Sequence, residues 1–267
     1  MIDLPSIVLW MTAGLPGAAW FWGVLALVAL LEAAYPGRSG NGQAGPRLVV
    51  NFGLGLIAAL ATFIPALSAI VLAGIAKSEG WGLLNNASLP VWTAIVFSFL
   101  AVDFIAYAFH RASHRFHPLW RLHRVHHSDN DLDLSTLFRI HPLTVLLLVL
   151  VDGAAIFLLG LHPAGIAMHV LAKHVTMTLG HADTALRDNS GGPLSRLLVT
   201  PGFHARHHSA DAAETGSNYG EVLSLWDRLL GSASPERGPV ARFGLGRAYD
   251  ADAASLRGQL RLPFIDR

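Results

Sequence analysis

The apolar positions of this chain fall into long blocks rather than short amphipathic periods. Ala18 to Ala34 is almost wholly apolar and ends at Tyr35-Pro36. A glycine-rich linker, Gly37 to Gly45, leads to a second block, Leu48 to Ala76, too long for one straight span and with Pro65 near its middle. Proline removes a helical hydrogen bond and crowds the preceding turn, so a kink or two half-helices are expected there. Lys77 to Ser88 is a polar break, after which Leu89 to Phe109, Leu143 to Leu161 and Ala164 to Gly180 form three more blocks. Crossing a bilayer takes about 20 apolar residues. The pattern therefore predicts an all-α, polytopic membrane bundle of four to five spans. From Asp183 to Arg267 the chain is mixed and more polar.

Composition agrees. A mean hydropathy of +0.45 with 14% charged residues argues against an ordinary soluble protein of 267 residues. A formal charge of +1 gives no reason to expect a nucleic-acid partner. The start, Met1-Ile2-Asp3-Leu4-Pro5, lacks the basic region of a cleavable signal peptide. If the last three blocks each span once, the chain leaves the membrane at His110, re-enters near Leu143, turns on the far side at His162-Pro163 and returns at His181. The first face then also carries Arg38, Arg47, Arg111, Arg115, Arg121, Arg124 and Arg139, whereas the opposite loop has Lys77. The positive-inside rule makes the arginine face cytoplasmic.

That face also collects the histidines. Three clusters stand out: His110 with His114; His123 with His126 and His127; and His204 with His207 and His208. Spacings of three and four place the imidazoles of each cluster on one helical face. With no cysteine in the chain, disulfides, iron–sulfur clusters and thiolate zinc sites are excluded. A metal here must be held by nitrogen and oxygen, which suits iron, zinc, copper or nickel. One metal takes about three or four such ligands, so eight imidazoles point to two metals. His181, at the end of the last span, is expected to join them.

Ligand histidines need partners that fix their tautomers. Asp103, Asp129, Asp131, Asp133, Asp183, Asp211 and Asp227 are candidates. Asp103, Tyr107, His110 and His114 form one helical stripe, and an intramembrane carboxylate is functional by default. Asp103 is therefore expected to orient a ligand histidine. His162 and His169 read as structural, and His117 as a surface or packing residue. His141 and His174 are left open as ligands. Asp152 and Lys173 lie at matching depths and are expected to form a buried pair. Arg124 and Arg206, inside the clusters, are expected on the cytoplasmic rim.

His110-x3-His114, Leu119-Trp120-x2-His123-x2-His126-His127-Ser128 and Pro201-x2-His204-x2-His207-His208 resemble the fatty acid hydroxylase superfamily. That group contains the sterol desaturases, sphingolipid and fatty-acid hydroxylases and alkylglycerol monooxygenases. Asn218-Tyr219-Gly220, Leu225-Trp226-Asp227-Arg228-Leu229-Leu230-Gly231 and Leu262-Pro263-Phe264 are similar to its downstream segments. The resemblance runs from about Leu89 to the end. It divides the chain into N-terminal membrane helices, 1–88, and a hydroxylase-like domain, 89–267, with a histidine-rich cytoplasmic cap. It implies two iron ions held by His110, His114, His123, His126, His127, His181, His204, His207 and His208. Asp103, Tyr107 and Asp227 would lie behind them.

It further implies dioxygen as oxidant, a membrane lipid or sterol as substrate, and electrons from a separate ferredoxin or cytochrome b5-like donor with its reductase. The reaction would be hydroxylation or desaturation of a C–H bond at a multi-pass protein of the bacterial inner membrane. Zinc competes well for imidazole, so zinc in a purified sample is compatible with this site, and a zinc-dependent membrane hydrolase is the alternative reading. A metal transporter or sensor fits less well, because transporters place ligands near the midplane of their spans.

Overall fold

In the computed structural model, residues 4–37, 44–62, 68–186, 192–235 and 239–265 are described, and among them every regular element is helical. The long helices are α1 (Leu4–Ala34), α2 (Ala44–Thr62), α3 (Ala69–Ser78), α4 (Val91–Arg115), α5 (His117–His127), α6 (Pro142–Leu159) and α7 (Pro163–His181). The seven-residue α8 (Pro201–His207) follows, then the short α9 (Ala212–Thr215), α10 (Leu225–Leu229), α11 (Asp250–Ala253) and α12 (Leu256–Arg261). The second apolar block thus forms two helices, α2 and α3; Pro65 and Arg38 lie outside the described residues.

Local chemistry sets the boundaries. Proline occupies the first turn of α5, α6, α7 and α8, where its missing N–H costs nothing. His141 and His162 cap α6 and α7, their Nδ1 atoms accepting from Leu143 N and Ala164 N at 3.2 Å each. Helix α6 stops at Gly160, whose φ of +68° suits glycine.

Contacts fix the direction of each helix. Glu32, near the end of α1, accepts from the backbone of Leu134 and Asp183, so α1 runs toward the histidine end. The start of α2 packs there too, with Val50 and Leu54 against Val125 and Leu262. At the opposite end, Lys77 in the last turn of α3 lies 2.9 Å from His162 Nε2, and Leu83 donates to Leu158 O. Helices α1, α4 and α7 therefore run toward the histidines, and α2–α3 and α6 run away from them. Helices α4 and α7 are parallel and close: a methyl added at Gly165 would overlap the Ile95 carbonyl and meet Ser98 Cβ at 2.7 Å. Gly165→Ala is expected to lower stability by about 1–3 kcal/mol, read as a drop in the thermal midpoint in detergent.

Among the described residues, two helices, α4 and α6, are long and apolar enough to cross a membrane by length and composition. Helix α7 has similar length but is interrupted by His169, Lys173 and His174. The outside of the bundle is apolar. On α2, Val49, Phe52, Leu56 and Leu60 form an exposed stripe, while Val50, Asn51, Leu54 and Ala58 face inward. On α4, Val91, Trp92, Val96 and Phe97 are exposed. Polar side chains such as Asn51, Ser98 and Asp103 are fully buried instead.

Two expectations about charge are corrected. Lys173 pairs with Glu221 at 2.5 Å, not with Asp152. Asp152 lines a cavity with Lys173 and His169 between α3, α4, α6 and α7. Equal depth along two helices does not fix azimuth, and the segment carrying Glu221 reaches Lys173 from the cap. Arg124 and Arg206 are buried rather than on the rim. Arg124 donates to Leu262 O and to Ile265 O at 2.7 Å, tying down the C-terminal turn, and Arg206 pairs with Glu214 at 2.6 Å.

Candidate metal centre

The three clusters and His181 sit on four helices that meet at one end of the bundle. His110 and His114 end α4, His123, His126 and His127 occupy α5, His181 ends α7, and His204 and His207 lie on α8 with His208 as its C-cap. The nine imidazoles form two groups, the ligand atoms of each lying within 4.8 Å of one another. The first holds His110, His114, His123, His127 and His207, and the second His126, His181, His204 and His208. The groups share a wall, where the His127 and His208 rings stack at 4.6 Å.

Backbone carbonyls set the tautomers. His110 Nδ1 donates to Tyr219 O at 2.8 Å and His207 Nδ1 to Ser217 O at 2.7 Å. In the second group, His126 Nδ1 donates to Arg139 O at 3.1 Å and His181 Nδ1 to Met177 O at 2.7 Å. A carbonyl only accepts, so each Nδ1 carries the proton and each Nε2 of the neutral ring presents a lone pair. Burial, reinforced by neighbouring imidazoles, holds His123, His126, His127, His207 and His208 well below the usual imidazole pKa. The rings are therefore neutral at pH 7.

This leaves acceptors facing acceptors. His126 Nε2 and His181 Nε2 are 3.2 Å apart with both protons committed elsewhere. His114 Nε2 and His207 Nε2 are buried without a hydrogen-bond partner. Two lone pairs at that distance repel unless a cation lies between them. Adjacent nitrogens on a metal at about 2.1 Å stand about 3 Å apart, so the donor set fits first-row metal ions in both groups.

None of the three residues expected behind the ligands bonds directly to one of the nine histidines, and each meets the segment 219–232 instead. Asp103 bonds to none of the nine histidines. It accepts from His169 Nε2 at 3.1 Å, Leu223 N at 3.2 Å and Trp226 Nε1 at 2.8 Å. The expectation that it bonds to and so orients a ligand histidine is thus corrected: the neighbour on its level is the turn at 223–226, about two helical turns below His110. Tyr107 bonds to Ser232 Oγ at 2.8 Å and receives Arg111 at 2.9 Å. Asp227 receives Tyr219 N at 2.8 Å and Gly220 N at 2.7 Å, so it fixes the peptide whose carbonyl meets His110. Among the other candidates, Asp129 holds Arg47, Asn51 and Thr136, and Asp133 and Asp211 cap short helices. His141 is a helix cap and His174 packs edge-on against Phe21; neither belongs to the two groups. The orienting carbonyls of Ser217, Tyr219, Arg139 and Met177 had no signal in the sequence, because every residue type supplies one.

Fold and site together define a helical bundle ending in a paired polyhistidine centre. Within that class the chain belongs to the fatty acid hydroxylase family, whose family model matches residues 95–232, more than half of the chain and all nine histidines. Ornithine lipid hydroxylase OlsE of Rhizobium tropici is 31% identical over 176 residues, covering 66% of this chain and 51% of that protein. Alkylglycerol monooxygenase of Homo sapiens is 32% identical over 168 residues, covering 62% of this chain and 36% of that protein. The Danio rerio alkylglycerol monooxygenase is 30% identical over 205 residues, covering 75% and 44%. The chain thus spans about half or less of the length of these relatives. No solved structure matches it.

Proposed function

We propose that this protein is a multi-pass membrane, non-haem di-iron oxygenase. It would hydroxylate or desaturate a C–H bond of a membrane lipid, using dioxygen and electrons from a separate ferredoxin or cytochrome b5-like donor. The observation that carries this reading is the pair of neutral imidazole groups whose lone pairs converge at close range. The names of the relatives, a lipid hydroxylase and monooxygenases, favour oxygen chemistry and a lipid with a long alkyl chain. Iron follows from the family and from the all-nitrogen donor set.

When bound, the metals supply the dioxygen and one-electron chemistry that no side chain can perform. The nine histidines hold them, five in one group and four in the other. The carbonyls of Tyr219, Ser217, Arg139 and Met177 keep the Nδ1 protons and so leave each Nε2 free to ligate. The apolar outer faces of α2, α4 and α6 support membrane embedding, with α1, α2–α3, α4, α6 and α7 as the crossing segments. A lipid then reaches the centre from the bilayer without passing through water. The exposed Arg111 and Arg115 at the histidine end support a cytoplasmic cap.

Protein purified in lipid nanodiscs from iron-supplemented cells is expected to hold about two irons per chain. It should incorporate labelled oxygen into an alkylglycerol or ornithine lipid when reductant is supplied. One zinc per chain with no oxygen uptake would overturn the reading.

A further inference from the structure

The two histidine groups are oriented by different parts of the chain. In the first, both orienting carbonyls, Ser217 O and Tyr219 O, belong to one strap, residues 217–232. In the second, they belong to Arg139, before α6, and Met177, within α7. The strap is not held by apolar packing alone. Asp227 clamps it from inside by receiving Tyr219 N, Gly220 N and Ser232 Oγ at 2.7–2.8 Å. Asn218, at φ +58°, receives Ser234 N and donates to Phe203 O.

Helices below the centre then grip the strap at three points. Asp103 receives Leu223 N and Trp226 Nε1. Tyr107 meets Ser232 Oγ. Lys173 pairs with Glu221, and Thr176 Oγ1 donates to Glu221 O at 2.6 Å. The fully buried stripe of α4 therefore does two things: Asp103 and Tyr107 hold the strap, and His110, one turn on, receives its orientation from that strap.

We infer that Asp103, Trp226 and Asp227 are positioning residues specific to the five-histidine site, so that loosening the strap weakens one metal site of the two. This rests on the two-metal reading above. Loss of an outer partner typically weakens a metal site about 10–100-fold. Asp227→Asn keeps the shape but turns an N–H group toward Gly220 N, which releases the Tyr219 peptide. Trp226→Phe removes only the donor to Asp103.

Cobalt(II) titration of the metal-stripped full chain in nanodiscs, followed by absorbance and by bound metal, tests this. The unaltered chain is expected to bind about two equivalents tightly. Asp227→Asn should keep one of them and bind the other about 10–100-fold more weakly, with Trp226→Phe shifted in the same direction. Adding His181→Ala to Asp227→Asn should remove the remaining tight equivalent, whereas adding His114→Ala should not. Equal weakening of both equivalents, or of neither, would overturn the inference. Should Asp227→Asn fail to fold, Trp226→Phe and its two double variants decide it by the same pattern. A single equivalent in the unaltered chain would instead overturn the two-metal reading.

Discussion

His207→Ala is expected to abolish lipid oxidation and to remove one of the two metals. The ring is fully buried at the centre of the five-histidine group, 4.4 Å from His110 and 4.7 Å from both His114 and His127 between centroids. Its Nδ1 is committed to Ser217 O, and its Nε2 has no hydrogen-bond partner in the protein. An alanine leaves the Ser217 carbonyl unpaired and the group one ligand short. Removing outer partners alone costs about 10–100-fold, so a directly ligating ring should cost more than about a hundredfold in product formed. Bound metal per chain and labelled-oxygen incorporation are the two measurements. His141→Ala is the matched control. It removes a helix cap, for about 0.5–2 kcal/mol, and should leave the metal content intact. Unchanged turnover in His207→Ala would show that the ligand set is wrongly assigned.

Arg139→Leu is expected to be the most destabilising single change outside the histidines. The guanidinium is 1% exposed and reaches four partners: Val125 O, Ser128 Oγ, Asn51 Oδ1 and Ala253 O. Those partners belong to α2, α5 and the C-terminal region, so one side chain ties three parts of the cap together. Burial pushes its pKa down, and nearby Asp129 offsets part of that by favouring the charge. Leucine would strand several buried acceptors in α2, α5 and the C-terminal region at once. Removing one member of such a buried network costs on the order of 3–5 kcal/mol. The Arg139 carbonyl also receives His126 Nδ1, so the loss should extend to the four-histidine group. Thermal denaturation in detergent, compared with Arg139→Lys, checks it. A midpoint within a degree or two of the unaltered chain would be inconsistent with this hub.

The helices and the ligand-rich end were legible in the sequence because their signals are local. Apolar blocks of membrane length, prolines at their starts and histidines three or four apart are visible without any tertiary knowledge. The division of the histidines was less visible. Residues four apart stay together, as His110 with His114, His123 with His127 and His204 with His208. The intervening His126 and His207 cross to the other group, because one position on a helix turns a ring by about 100°. Asp103 shares a stripe with His110 yet bonds to the turn at 223–226, which comes 120 residues later in the chain. Depth along the spans pairs Lys173 with Asp152, but Glu221 is the partner that folding brings to it. The carbonyls that orient four of the ligands leave no trace in residue identity at all.

The strap has a consequence for how the protein is made. The ligands span residues 110 to 208, and the segment that orients two of them ends at Ser232. At about 5–20 residues per second, the ribosome finishes α4 roughly ten seconds before Ser232 is available. For most of that interval His110 and His114 exist while His207 and its carbonyl partner, Ser217, are still unsynthesised. The five-histidine group therefore cannot be oriented until more than a hundred residues after α4 have been made, however early its first two histidines emerge.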